Sequence, residues 1–337
     1  MDKSEYLLNI RNQIEIALKE TLNELNTSGY EEYYQMLAYH MGWIGEGAGE
    51  KATGKRIRPS LLLLVSAANK FDWNGAIPAA VAVELIHNFS LIHDDIEDNS
   101  QYRRGRLTVW SKWGLAQGVN AGDAMFTVAH LSIRKLTPLL PCEVVNQASL
   151  LLLDTCLKLT QGQYLDISFE QRPEVSIDEY WQMIEGKTAA LFSACTHLGS
   201  LIAQSNPQIQ NHYKNFGRAL GLAFQIVDDI LGIWGDEALI GKSTASDLCS
   251  GKKTYPVLLG LKKRATFAKR WHAGNIHPEE AKELARLLEK EGILIATQKE
   301  AERLTDLALS ELREAGPKGI AGELLLDITH QMCQRRK

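Results

Sequence analysis

The sequence is short of proline: of its 337 residues nine are proline, and none lies between Pro78 and Pro138 or between Pro207 and Pro256. Proline breaks helix interiors, so these two gaps are where long helices are permitted. Long apolar runs are lacking too. Stretches such as Leu61 to Val65 and Leu150 to Leu153 fall far short of the ~20 residues that span a bilayer. The opening MDKSEYLLNI has acidic and polar groups where a signal peptide has a basic start and an apolar core. The expectation is a cytoplasmic protein with no transmembrane segment. There is no basic excess: 37 Lys+Arg against 41 Asp+Glu leave a net charge of -4, which argues against nucleic acid as a partner. Cysteine is sparse. Cys142, Cys156, Cys195, Cys249 and Cys333 form no C-x-x-C pair and are odd in number, which suits neither a disulfide framework nor a zinc site.

With 45% hydrophobic and 23% charged residues, the composition is that of a globular chain able to bury a sizeable core. Apolar residues recur at helical spacing almost throughout, which predicts an all-α protein. Ala82, Leu85, Ile86, Phe89, Ile92 and Ile96 make one packing stripe, and a second helix is expected from about Phe216 to Leu231. Ser176-Ile-Asp-Glu179 is a capping box that starts another helix. Gly45 to Pro59 and Gly235 to Lys253, rich in glycine and charge, read as loops. The charged region from Pro278 onward reads as amphipathic surface helices. No repeat, linker or boundary divides the chain, so residues 1–337 are expected to form a single domain.

Two acidic motifs carry chemistry. Asp94, Asp95 and Asp98 form D-D-I-E-D near the end of an apolar helix. Asp94 and Asp98 are four residues apart and share a face with His87. Carboxylates ~6 Å apart repel by about 3 kcal/mol at an effective dielectric of 20, so the arrangement calls for a countercharge. Taken alone, the motif could equally be a solvated acidic helix end. The second motif, Asp228 and Asp229 in F-Q-I-V-D-D-I-L-G, changes the balance. Gln225 precedes the pair by one turn on the same face. Two apolar helices ending in paired aspartates suggest two walls of one metal-filled cavity, and oxygen-only ligands point to Mg2+ with substrate phosphates. Lys and Arg that would hold such phosphates occur in compact groups: Lys55, Arg56 and Arg58; Arg103, Arg104 and Arg106; Lys187 with Thr188; Lys242; Lys252 and Lys253. G-E-K-A-T-G-K at Gly49 to Lys55 has P-loop spacing but is followed by Arg56 instead of Ser or Thr. G-K-T at Gly186 to Thr188 has Trp181 where the first P-loop glycine belongs. Neither supports a nucleotide hydrolase.

Together G-K-R-I-R-P (Gly54 to Pro59), E-L-I-H-N-F-S-L-I-H-D-D-I-E-D (Glu84 to Asp98), R-R-G (Arg103 to Gly105), G-K-T, F-Q-I-V-D-D (Phe224 to Asp229) and G-K-K-T-Y-P (Gly251 to Pro256) resemble the trans-type isoprenyl diphosphate synthases, or polyprenyl synthetases. The resemblance implies a single domain of long helices around a central cavity, the isoprenoid synthase fold, working as a homodimer. It implies Mg2+, three ions per active site, and two substrates, isopentenyl diphosphate and an allylic diphosphate. By matching position, Lys55, Arg58, His87 and Arg104 would hold isopentenyl diphosphate. Asp94, Asp98 and Asp228 would carry Mg2+ with Asp95 and Asp229 in support. Arg103, Lys187, Thr188, Gln225, Lys242 and Lys252 would contact the allylic substrate, with Lys187, Thr188 and Gln225 steadying an allylic cation. In the family, bulk at the fourth and fifth positions before the first aspartate limits the product. Here these are Ser90 and Phe89, a pattern resembling the C20 geranylgeranyl type more than the C15 farnesyl type, with C25 a further option. Helical geometry puts Phe89 about 140° around from Asp94, so its inward aim is implied by the family alone. The sequence departs from the family at the fifth position of the second motif, where Gly232 replaces an aspartate; the next acid is Asp236.

Two alternatives remain. A class I terpene cyclase would share the acidic helix but needs an Asn/Asp-x-x-Ser/Thr-x-x-x-Glu triad, and the stretch after Asp228 reads D-I-L-G-I-W-G-D. A non-catalytic partner subunit is favoured only by Gly232.

Overall fold

A computed structural model describes residues 2–235 and 246–333. Helix dominates the described residues, as expected. Among the described residues the single β element is an antiparallel ribbon of two two-residue strands, β1 (Tyr102–Arg103) with β2 (Arg106–Leu107). The chain divides into two compact units, each assembled from three stretches: 1–156, 194–214 and 315–325 in one, 157–193, 215–314 and 326–337 in the other. Neither unit is contiguous, so composition along the chain has no linear boundary to mark.

The first unit contains α1 (Lys3–Asn23), α2 (Glu31–His40), α3 (Glu50–Thr53), α4 (Ile57–Ala68), α5 (Ile77–Glu97), α6 (Val109–Trp113) and α7 (Leu115–Arg134). Helix α4 is buried all round, Leu61 to Val65 being 0% exposed, as an apolar central helix must be. Helix α1 turns Ile10, Ile14, Leu18 and Leu22 inward at one-turn spacing. Helix α5 starts with proline in its first turn, where the missing N–H costs nothing. By length and composition Trp73–Glu97 would suffice to cross a membrane, but most of its apolar window is buried in the protein.

Helix α8 (Cys142–Gln171) is followed by α9 (Ile177–Ile184), a π-helical turn (Glu185–Ala189), α10 (Ala190–Ile202) and α11 (Pro207–Trp234). Beyond the undescribed residues come α12 (Ser246–Cys249), α13 (Tyr255–Lys263), α14 (Thr266–Trp271), α15 (Pro278–Lys290), α16 (Ile293–Ala315) and α17 (Gly319–Cys333). The second unit's core gathers Tyr180, Met183, Ile184, Leu222 and Ile226.

Three local expectations need correcting. The segment Gly45 to Pro59 is not all loop, because α3 lies within it and α4 begins at Ile57. Pro59 falls in the first turn of α4, where proline is tolerated. Gly235 to Lys253 likewise includes α12. The second acidic helix starts at Pro207, well before Phe216, with the Asn206 side chain accepting the Ile209 N–H at 2.9 Å as an N-cap. The capping box at Ser176 forms as predicted. All five cysteines are free thiols.

Candidate active site

In the first unit, Asp98 caps α5 through its N–H to Asp94 O at 2.8 Å, so the one-turn spacing survives to the helix end. The three aspartates then diverge: Asp94 is half-buried, Asp98 exposed and Asp95 buried. Arg103 Nε donates to both Asp95 oxygens, at 2.8 and 3.0 Å. Burial pushes the Asp95 carboxyl up to about 6 against the opposing pull of Arg103. Arg103 reaches back because the ribbon folds tightly: Arg104 and Gly105 both take positive φ, 52° and 76°, the pattern of a two-residue type I′ turn.

The G-K-R-I-R-P segment splits its basic residues between structure and exposure. Arg56 is buried, bonded to Glu84 at 2.7 Å and to Glu15 at 2.9 Å, and so acts as a structural tie. Lys55 is exposed. Arg58 Nη1 lies 3.3 Å from His87 Nε2. Burial, then Arg58 and neighbouring arginines, push His87 well below its ordinary value, which leaves a neutral ring able to accept from Arg58. Arg104 donates to Ala52 O at 2.6 Å. Phe89 stacks edge-on with Phe126 and His93, centroids 5.3 and 5.0 Å apart, and Ser90 bonds to His87 O.

In the second unit, a cavity of about 220 Å³ has Lys187, Gln225, Asp228, Asp229 and Lys252 in its wall. Asp228 is exposed and Asp229 buried. Asp229 accepts three hydrogen bonds: from Tyr180 OH at 2.6 Å, the Tyr255 N–H at 2.9 Å and Gln225 Nε2 at 3.0 Å. Burial outweighs these donors and pushes its carboxyl up to about 7. With its amide nitrogen given to Asp229, Gln225 presents Oε1, which accepts the Thr188 hydroxyl at 2.6 Å. Lys187 and Thr188 sit in the π-helical turn, a geometry often met at functional sites. That turn presses against α8: a Cβ on Gly162 would lie 2.1 Å from Lys187 N. Lys187 pairs with Asp166, and Lys253 Nζ caps Phe169 O at 2.6 Å.

Lys242 and Asp236 lie outside the described residues. Sequence reasoning missed Asp166, Tyr180, Asp247 and Thr254, all of which line the cavity. Tyr180 left a signal, an aromatic two turns before Lys187; Asp247 left none, because it stands far from Asp228 in the sequence.

The family model described as polyprenyl synthetase matches residues 48–290. The chain belongs to the polyprenyl synthetase family. This polyprenyl synthetase is 36% identical over 316 residues to geranylgeranyl diphosphate synthase of Mycobacterium tuberculosis, covering 89% of this chain and 86% of that protein. It is 44% identical over 226 residues to (2E,6E)-farnesyl diphosphate synthase of Mycobacterium bovis, covering 66% of this chain and 61% of that protein's length. The chain thus spans less than two thirds of that farnesyl relative. The crystal structure of geranylgeranyl pyrophosphate synthetase from Pyrococcus horikoshii matches with a TM-score of 0.88 at 30% identity, over 99% of each chain. The expected all-α fold is the fold of these polyprenyl synthetases.

Proposed function

We propose that this polyprenyl synthetase condenses isopentenyl diphosphate with an allylic diphosphate, head to tail, to give a short trans-prenyl diphosphate, the C20 geranylgeranyl product. The observation that carries this reading is the second-unit cavity, where exposed Asp228 stands with Lys187 and Lys252 beside the aligned oxygens of Thr188 and Gln225. Relatives named for C20 and C15 products support the short chain. The reading treats residues 1–337 as one synthase domain, since the family match runs through both units.

The donors fit Mg2+. Exposed Asp228 in the cavity wall offers the oxygen donor that Mg2+ takes together with phosphate oxygens and water. Asp94 and Asp98 in the first unit, and Asp228 in the second, are each assigned as Mg2+ ligands, three ions in all, with Asp95 and Asp229 in support through Arg103 and Tyr180. When bound, Mg2+ supplies charge that stabilises the departing diphosphate. Lys187 and Lys252 hold its oxygens, as would Lys242, while Thr188, Gln225 and the Lys187 backbone face the allylic cation with electron-rich oxygens. Arg103, already bound to Asp95, contacts the allylic diphosphate from its remaining guanidinium nitrogens. Lys55, Arg58, Arg104 and neutral His87 bind the diphosphate of isopentenyl diphosphate.

The reading includes a homodimer. Leu115, Val119 and Leu131 on α7 and Leu150 and Leu153 on α8 are 42–62% exposed, apolar side chains of the kind that a second copy would cover. It also includes a cytoplasmic location, with which five free thiols agree. Purified protein given isopentenyl diphosphate with dimethylallyl, geranyl or farnesyl diphosphate should yield a C20 product in the presence of Mg2+. No elongation from any primer would refute the enzyme, and a cyclic hydrocarbon would turn the reading to a cyclase. Asp94→Ala should abolish turnover.

A further inference from the structure

Arg106 follows Arg103 and Arg104 in a basic run whose spacing suggests three phosphate-binding cations, yet its guanidinium is turned to backbone. Its Nε donates to Glu46 O at 2.9 Å, Nη1 to Tyr39 O at 2.8 Å and Nη2 to Ile44 O at 2.6 Å. The same guanidinium lies 4.0 Å from the centroid of the Tyr39 ring, and the Tyr39 hydroxyl donates to Leu107 O at 2.9 Å. Arg106 is the cross-strand partner of Arg103 in the ribbon, a position where like charges repel. Asp95 draws off one guanidinium and the carbonyls draw off the other.

Two of these carbonyls, Ile44 O and Glu46 O, belong to a loop that closes on itself. Residues 42–53 meet at a neck, where the Gly49 N–H donates to Gly42 O at 3.1 Å. A Cβ on Gly42 would lie 2.6 Å from the Ala52 carbonyl carbon and 2.7 Å from Thr53 N, and Gly42 takes φ 82°, so close approach and backbone shape both demand glycine there. On its returning side the loop presents Ala52 O to Arg104 Nη1 at 2.6 Å, then runs through Gly54 into Lys55. The loop is fastened to the ribbon twice, by Arg106 on one side and by Arg104 on the other.

We propose that Arg106 is a positioning residue: by pinning the loop to the ribbon it sets the direction of Arg104, and with it the capture of isopentenyl diphosphate. The inference rests on the prenyl synthase reading above, which gives Arg104 that substrate. Arg106 acts through the loop and not on substrate, since Nε, Nη1 and Nη2 are each engaged by a carbonyl. Lysine cannot take its place, because an ammonium is a point charge with no planar fork to span three carbonyls or to stack on Tyr39. Once the loop is released, Ala52 O shifts and Arg104 with it, and a binding group displaced by about 1 Å loses much of its effect.

Steady-state elongation by the full chain, with each substrate varied in turn, tests this. Arg106→Lys should raise KM for isopentenyl diphosphate about tenfold, the size of one misplaced hydrogen bond to a charged group, while kcat and KM for the allylic primer hold. On an Arg104→Ala background the same change should add nothing further, because residues that act through one contact are not additive. Gly45→Ala, which strains a φ of 84° and crowds the Tyr39 ring at 2.9 Å, should loosen the loop from its other side and raise the same KM; it stands in if Arg106→Lys does not fold. An unchanged KM for isopentenyl diphosphate in the folded variants overturns the proposal, as does an equal rise for both substrates or an additive loss on Arg104→Ala. A wild-type chain that elongates no primer brings down the prenyl synthase reading and this one with it. Wild-type elongation with indifferent variants removes this proposal alone.

Discussion

Three donors hold the buried Asp229 carboxylate, and the alignment of Gln225 depends on them. Tyr180→Phe removes one donor and leaves a buried acceptor short of a partner, which should cost roughly 1–3 kcal/mol of unfolding free energy. If the bond also keeps Gln225 turned towards Thr188, kcat should fall about tenfold while KM changes little, the signature of a loss felt in the transition state. Equal losses in both constants would reduce Tyr180 to a packing role. Phe89→Ala tests the product limit: a longer product is expected, and an unchanged one would remove Phe89 from the chain-length determinants. At this scale the sequence was legible where partners are one helical turn apart. Asp94 with Asp98, and Gln225 with Asp229, follow from local spacing. Asp247, Tyr180 and Asp166 do not, because what makes them neighbours of the site is tertiary folding.

The π-helical turn Glu185–Ala189 depends on two glycines. Besides the contact of Gly162 with Lys187 N, a Cβ on Gly186 would lie 2.7 Å from Lys158 O. Gly162→Ala should therefore destabilise by about 1–3 kcal/mol, the usual result of overpacking, and weaken turnover by shifting Lys187; a neutral melting temperature would show that the two segments yield easily. At the start of α9, the Ser176 N–H, Ser176 Oγ and Arg172 all donate to Glu179, holding its carboxyl down at about 2 from a usual 4.5. A depressed carboxyl contributes stability above its unfolded value and loses it as pH falls through the folded one. The melting-temperature advantage of wild type over Glu179→Gln should thus shrink as pH drops from about 4.5 towards about 2, and a constant difference would contradict the cap. This element was readable because a capping box is a four-residue signal. The start of α4 was not, because glycine and proline in G-K-R-I-R-P look like loop punctuation, although the turn is confined to Gly54 and Arg56, at φ 82° and 47°, and the helix begins at Ile57.

For the whole molecule, the proposed homodimer predicts that Leu150→Glu, on an exposed apolar side chain of α8, shifts the chain to monomer in sedimentation; an unaltered mass would place the interface elsewhere or deny it. The all-α class was legible because helical periodicity is a property of every segment. The split into two units was not, because each is closed by stretches far apart in the chain. That closure bears on synthesis. The first unit is completed only by residues 315–325, where the Lys318 N–H bonds to Ala68 O at 3.2 Å and Glu323 pairs with Lys3 at 3.1 Å. The N-terminal helices must therefore wait, partly uncovered, until residues 315–325 have left the ribosome. A nascent chain stalled before residue 315 would expose core surface, so its capture by chaperones should persist until α17 emerges.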